Sequence, residues 1–131
     1  MGYTRYYTEI EVDAFKEEFV EKVKTIVEKA KETYGVVIRN WEGIGDPEIS
    51  TTKISLNGDG SKHQDCETFI LRPKKSGFEC CKTRQEPYDM VVSAILKLAR
   101  VYGYVKQVSS DGDSMYDEES KKLLRKVLEV K

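Results

Sequence analysis

The residues best suited to chemistry lie between positions 72 and 84, where Arg72, Lys74, Lys75, Lys82 and Arg84 face only Glu79. The last of them run Lys82-Thr83-Arg84-Gln85 into Pro87-Tyr88-Asp89, which opens a predicted helix. The positive end of a helix, its free N–H groups and two cations together suit a phosphate or a carboxylate. Tyr88 and Trp41 add ring faces able to stack on a base. The competing reading is that these lysines guard exposed strand edges.

A second set is polar and uncharged or acidic. Asn57, Glu67 and Asp111 fall at predicted turns or strand ends, where side chains converge without disturbing a core. If they meet Lys82, Thr83, Arg84 and Tyr88 at one edge of a sheet, the result is a pocket of mixed charge. Lys82 and Arg84 would take a phosphate there, and Asn57, Glu67 or Asp111 would take hydroxyls. Such a pocket fits a small phosphorylated molecule.

Other chemistries have weaker support. His63 and Cys66 stand in an H-x₂-C spacing ahead of Cys80 and Cys81. Adjacent residues on a strand point to opposite faces, so Cys80 and Cys81 do not converge on one zinc ion. Asn57-Gly58-Asp59-Gly60 and Asp111-Gly112-Asp113 supply oxygens beside glycine, but turn chemistry explains both and the calcium-loop pattern is absent. His63 is the only histidine, so nucleophilic or acid–base catalysis by histidine would depend on it, paired with Asp or Glu. Asp46, Glu67, Asp89 and Asp111 are the carboxylates placed for a catalytic pair. Asp89 has a simpler use as a helix cap, and Asp46 as a turn residue before Pro47. Neither a Walker A sequence nor G-x-G-x-x-G occurs, and no cofactor is called for.

The elements that position these residues follow from periodicity. Residues 4–11 are rich in β-formers. Residues 13–34 repeat Phe15, Phe19, Val23, Ile26, Val27, Ala30 and Tyr34 at three- and four-residue steps, with Asp13 as N-cap and Gly35 as C′ residue. Strands are predicted at 36–39, 49–56, 67–72 and 78–83, separated by turns such as Asn57-Gly58-Asp59-Gly60. A second helix opens at Pro87-Tyr88-Asp89 with Met90, Val91, Ala94, Ile95, Leu98, Val101 and Tyr102 as its apolar stripe. A strand at 104–109 and a third helix at 117–129 complete the order β-α-β-β-β-β-α-β-α. That order describes one α+β domain over residues 1–131, with three helices on one face of a mostly antiparallel sheet of five to six strands.

The bulk properties limit the partners. Lys plus Arg total 22 and Asp plus Glu 23, so no global field steers the chain onto nucleic acid or anionic lipid, though local patches remain open. No apolar run approaches a membrane span. Residues 1–7 lack an apolar core and a cleavage site, and the three cysteines are odd in number. The expectation is a cytoplasmic protein with reduced thiols.

Several segments taken in order carry a resemblance: Met1-Gly2-Tyr3-Thr4-x-Tyr6, Leu56-Asn57-Gly58, Glu67-Thr68-Phe69, Cys81-Lys82-Thr83, Pro87-Tyr88-Asp89 and Ser110-Asp111-Gly112. Together they resemble a family of small uncharacterised bacterial and bacteriophage proteins, over nearly the whole chain. The resemblance implies a His before Glu-Thr-Phe, where this chain has Cys66, which argues against a metal or catalytic role there. It brings no established activity, but it implies a phage or prophage setting, in which small domains bind a nucleotide signal or a host protein.

Three functions are therefore open. The first is a non-enzymatic module, as a monomer or a homodimer, that binds a small anionic or nucleotide ligand. The second is a protein–protein interaction module directed at a host or defence partner. The third is a small hydrolase using Asp or Glu with His63.

Overall fold

A computed structural model describes residues 2–128, and Met1 and the expected helical position 129 lie outside the described residues. The element order is β1 (Thr4–Glu9), α1 (Glu17–Tyr34), β2 (Glu48–Ser50), β3 (Lys53–Leu56), β4 (Phe69–Leu71), β5 (Gly77–Lys82), α2 (Asp89–Val101), β6 (Val105–Ser110) and α3 (Asp117–Leu128). The α+β class is that expected from the sequence, and the order of elements roughly so. The sheet is not.

Six strands form two antiparallel three-stranded sheets rather than one, ordered β5-β1-β6 and β2-β3-β4. β1 is the centre of the first, with Thr4 opposite Lys82, Tyr6 opposite Cys80 and Thr8 opposite Phe78. The reason for the split is visible at β4. Side chains from β1 meet its backbone in place of another strand. Tyr7 OH donates to the Ile70 carbonyl at 2.7 Å, and the Arg72 N–H donates to Glu9 Oε2 at 2.9 Å. With those edge groups satisfied, the two sheets pack through side chains instead of joining.

Two strand expectations change. Residues 49–56 are a hairpin, β2 and β3, turning at Thr51-Thr52. Residues 36–39 contribute only an isolated bridge, Arg39 with Asn57, because Asn40 N–H turns back to the Gly45 carbonyl. The first helix also starts later than Asp13. Val12 N–H bonds the Pro73 carbonyl and Phe15 N–H bonds the Thr51 carbonyl, so the lead-in is held extended until Lys16. Its C-terminus is as expected, with Gly35 in the left-handed region at φ 68°.

A continuous hydrophobic cluster joins both sheets and all three helices. α1 contributes the stripe Phe19, Val20, Val23, Ile26 and Ala30. α2 is buried almost all round, because α1, α3 and β6 pack on different sides of it. Its predicted stripe stops short of Val101, which is 65% exposed. Phe15, Phe19, Tyr102 and Tyr104 form an aromatic knot at the far end of α2, with ring centroids 4.8–5.7 Å apart. The inward side of the first sheet carries Arg5, Tyr7, Glu9 and Cys81.

Candidate functional site

The first N–H groups of α2, where an anion was expected, are taken by carbonyls of the preceding turn, Asp89 N–H by Glu86, Met90 N–H by Pro87 and Val91 N–H by Tyr88, and the Asp89 side chain does not cap the helix but binds other segments. Asp89 is fully buried and accepts four hydrogen bonds, from Arg5 Nε (3.0 Å), Arg5 Nη2 (2.8 Å), Thr83 Oγ1 (2.8 Å) and Ser114 Oγ (2.7 Å). The guanidinium binds it in two-pronged fashion, the strong geometry for this pair. Burial pulls the Arg5 pKa down, but the hydrogen bonds and charge of Asp89 outweigh it, so the group is held above its ordinary value. This node ties β1, the turn after β5, the start of α2 and the segment before α3 to one carboxylate.

The seven residues singled out from the sequence do gather at the same end of the first sheet. Asn57 is buried, and its Oδ1 accepts from the Gly58 and Cys66 N–H groups while its Nδ2 donates to the Cys66 carbonyl. Tyr88 is buried and its hydroxyl donates to the Glu67 carbonyl at 2.6 Å. Glu67 Oε1 accepts from the Lys82 N–H at 2.7 Å. Thr83 is spent on Asp89. Asp111 accepts from the Thr4 N–H and from Tyr6 OH, across β1 from Lys82. Arg84, in the left-handed region at φ 54°, reaches the Asp65 carbonyl at 3.5 Å and Glu86 at 3.8 Å. Most of the set is thus engaged in holding loops together, and Glu67, Lys82, Arg84 and Asp111 are the members exposed to solvent.

Gly58 explains why the loop closes so tightly. A Cβ there would lie 2.0 Å from the Gln64 carbonyl oxygen. His63 is exposed at φ 56°, and its side chain has no hydrogen-bond or ion-pair partner among the described residues. Trp41 is 66% exposed, whereas Tyr88 is buried. Cys81 is buried and Cys80 exposed, as the alternation of β5 requires. Burial, with the negative Glu67 beside it, pushes the Cys81 thiol up to about 12.

The basic strip is divided by β5. Lys82 and Arg84 follow the strand's end, whereas Arg72, Lys74 and Lys75 precede its start. The latter three line a cleft of about 310 Å³ with Lys53, Asp13, Thr52, Ile70 and Pro73. The β2–β3 turn supplies one wall, the end of β4 and the following turn another, and the lead-in to α1 the rim. Lys74 and Lys75 are exposed and have no ion-pair partner among the described residues. Lys53 stands 3.9 Å from Glu48, a loose contact. Arg72 is shared between Glu9 at 3.6 Å and Glu79 at 3.4 Å, and its Nε is buried without a hydrogen-bond acceptor. Behind it, burial raises the pKa of Glu9 against the lowering pull of Arg72. Sequence reading missed Lys53 and Asp13, because only the hairpin turn and the extended lead-in bring them to this place.

Comparison of the chain with protein-family models, with curated proteins and with solved structures found no match. No group of three or more His, Cys, Asp or Glu side chains able to hold a metal ion occurs among the described residues. No helix among them is long and apolar enough to cross a membrane.

Proposed function

We propose that the protein is a non-enzymatic module that binds a small anionic ligand, with the cleft beside β4 as its seat. The observation that carries this reading is the pairing of four cations, Lys53, Arg72, Lys74 and Lys75, with an apolar floor of Ile70 and Pro73. Concave sites of this kind bind by apolar burial and take orientation from a few polar groups. A volume of about 310 Å³ is at the small end of ligand clefts, which suits a mononucleotide or a phosphorylated metabolite. Two of the cations, Lys74 and Lys75, are free of ion-pair partners among the described residues. The phage setting implied by the sequence resemblance fits a nucleotide signal as the ligand. Lys82 and Arg84 form a separate basic corner on this reading.

Native mass spectrometry of gently purified protein tests this directly, with calorimetric titration of AMP and inorganic phosphate alongside. The expected result is a retained mass, or AMP binding, that the Lys53→Ala, Lys74→Ala, Lys75→Ala triple variant loses and the Lys82→Ala, Arg84→Ala variant keeps. A clean apo mass with no heat from either probe at millimolar concentration would sink the proposal. Binding lost only in the Lys82/Arg84 variant would move the site to the other end of β5.

A further inference from the structure

The outer face of the first sheet has a composition of its own. Its strands alternate strictly, so Arg5, Tyr7 and Glu9 of β1 and Glu79 and Cys81 of β5 turn inward, while Thr4, Tyr6, Thr8, Phe78, Cys80 and Lys82 turn outward. β6 follows suit through a bulge. Gln107 adopts φ 55°, and the register steps from Thr8–Lys106 to Tyr6–Ser109, which keeps Lys106 and Ser109 on the outer face. No described element covers this face. Phe78 is 67% exposed, and its ring lies beside that of Tyr6 with centroids 6.0 Å apart and planes within 21°.

Charge is sorted across the sheet. The carboxylates of β1 and β5, Glu9 and Glu79, are both on the inner side, each within reach of Arg72. Lys82 and Lys106 are outside. Two carboxylates stand at the rim: Asp111, after the end of β6, is committed to Tyr6 OH and the Thr4 N–H, and Glu67, along the edge of β5, accepts from the Lys82 N–H. The exposed Phe78, opposite Thr8, thus has Lys106 across β1 at its own end of the sheet and Lys82 at the other end.

We propose that this open face, with Tyr6 and Phe78 at its centre and lysines at its ends, is a binding platform for single-stranded nucleic acid. Exposed aromatic rings on adjacent strands of an uncovered antiparallel sheet stack on unpaired bases, and flanking cations follow the phosphates. A balanced net charge does not oppose this, because the field that matters is local. The size of the face argues for a nucleic acid over a second copy of the chain. Three strands of about six residues give roughly 14 by 20 Å, or about 300 Å². A stable dimer needs about 800 Å² per partner, whereas a stacking platform needs room for two or three bases. This site is distinct from the cleft beside β4.

The test is fluorescence anisotropy of the full chain with fluorescein-labelled oligo(dT) and oligo(rU) of about twelve nucleotides, against duplex DNA of the same length. Single strands are expected to bind at low salt in preference to the duplex. The slope of log K against log salt is expected near −1.4, from about −0.7 for each of two phosphates neutralised. Phe78→Ala is expected to weaken binding roughly 5- to 150-fold, the span measured for loss of one base stack. Its circular dichroism and melting curve should match the parent, since the ring is exposed. Lys53→Ala, in the separate cleft, should leave oligonucleotide affinity within about twofold. Bound oligonucleotide should also slow iodoacetamide labelling of Cys80, which sits opposite Tyr6. Absence of binding at low salt, binding indifferent to Phe78→Ala, preference for the duplex, or a dimer that occupies the face without taking up oligonucleotide would each overturn the proposal.

Discussion

Asp89→Ala is the substitution whose effect can be worked furthest from the structure. It removes the acceptor of four hydrogen bonds and leaves Arg5, 6% exposed, without its two-pronged partner. Taking one member from a buried ion pair costs about 3–5 kcal/mol, because the remaining charge stays desolvated. Asp117 Oδ1 stands 3.7 Å from Arg5 Nη2 and is one-third exposed, so it recovers part of that and favours the lower bound, about 3 kcal/mol. Unfolding entropy scales at about 2.1 cal/mol/K per residue, or about 0.28 kcal/mol/K for this chain, so the melting temperature should fall by about 10 °C. Urea unfolding with linear extrapolation gives the free energy, and scanning calorimetry gives the shift. The double variant Arg5→Met, Asp89→Leu removes both charges and leaves only the Thr83 and Ser114 hydroxyls short of a partner. It should lose at least about 2 kcal/mol less than the sum of the two single changes. A loss below about 1 kcal/mol for Asp89→Ala, or strict additivity in the double variant, would refute the account of a buried carboxylate that organises four segments.

Three further outcomes follow from the same packing. Gly58→Ala should destabilise by about 1–3 kcal/mol or more in urea, since its Cβ would lie 2.0 Å from a backbone carbonyl that loop closure fixes in place. Glu9 has a folded pKa above its unfolded one, so the folded state holds the extra proton in the window just above 4.5 and stability falls as pH rises through it. Glu9→Gln should flatten that part of the stability–pH curve, and a slope unchanged by the substitution would show that Glu9 is not its source. Iodoacetamide at pH 8 should modify Cys80 in the native protein, with Cys81 reacting only in denaturant, because burial holds the Cys81 thiol near 12. Equal native labelling of both would contradict the position of β5.

How much of this could be read from sequence depended on how local the cause was. The stripe of α1 and its Gly35 cap are set within a few turns of helix, and both were legible. The β2–β3 hairpin was not, although its signal lay inside the run taken as one strand. Ser50 Oγ accepts from the Thr52 N–H and donates to the Lys53 carbonyl, the local bonding by which Ser and Thr make turns. Asp89 was legible as a residue at a helix start, but its partner Arg5 is 84 positions away and no periodicity links them. The same distinction applies to the basic strip. Its composition was plain, but it was read as one patch because β5 was given no length in space. A strand of six residues carries its two ends about 20 Å apart, so Lys74 and Lys75 belong to a cleft and Lys82 to an open sheet face. Alternation along that strand already divides Glu79 from Phe78, Cys80 and Lys82. The inward set could not be named until Arg72 was found behind it, taking both carboxylates. Once Arg72 holds Glu9 and Glu79, β1 and β5 show the outer face aromatic rings, hydroxyls, the Cys80 thiol and Lys82, and Asp111 at the β6 end is held by Tyr6 OH and the Thr4 N–H. That sorting of charge sets the open face apart from an ordinary solvated sheet, where both signs would be mixed.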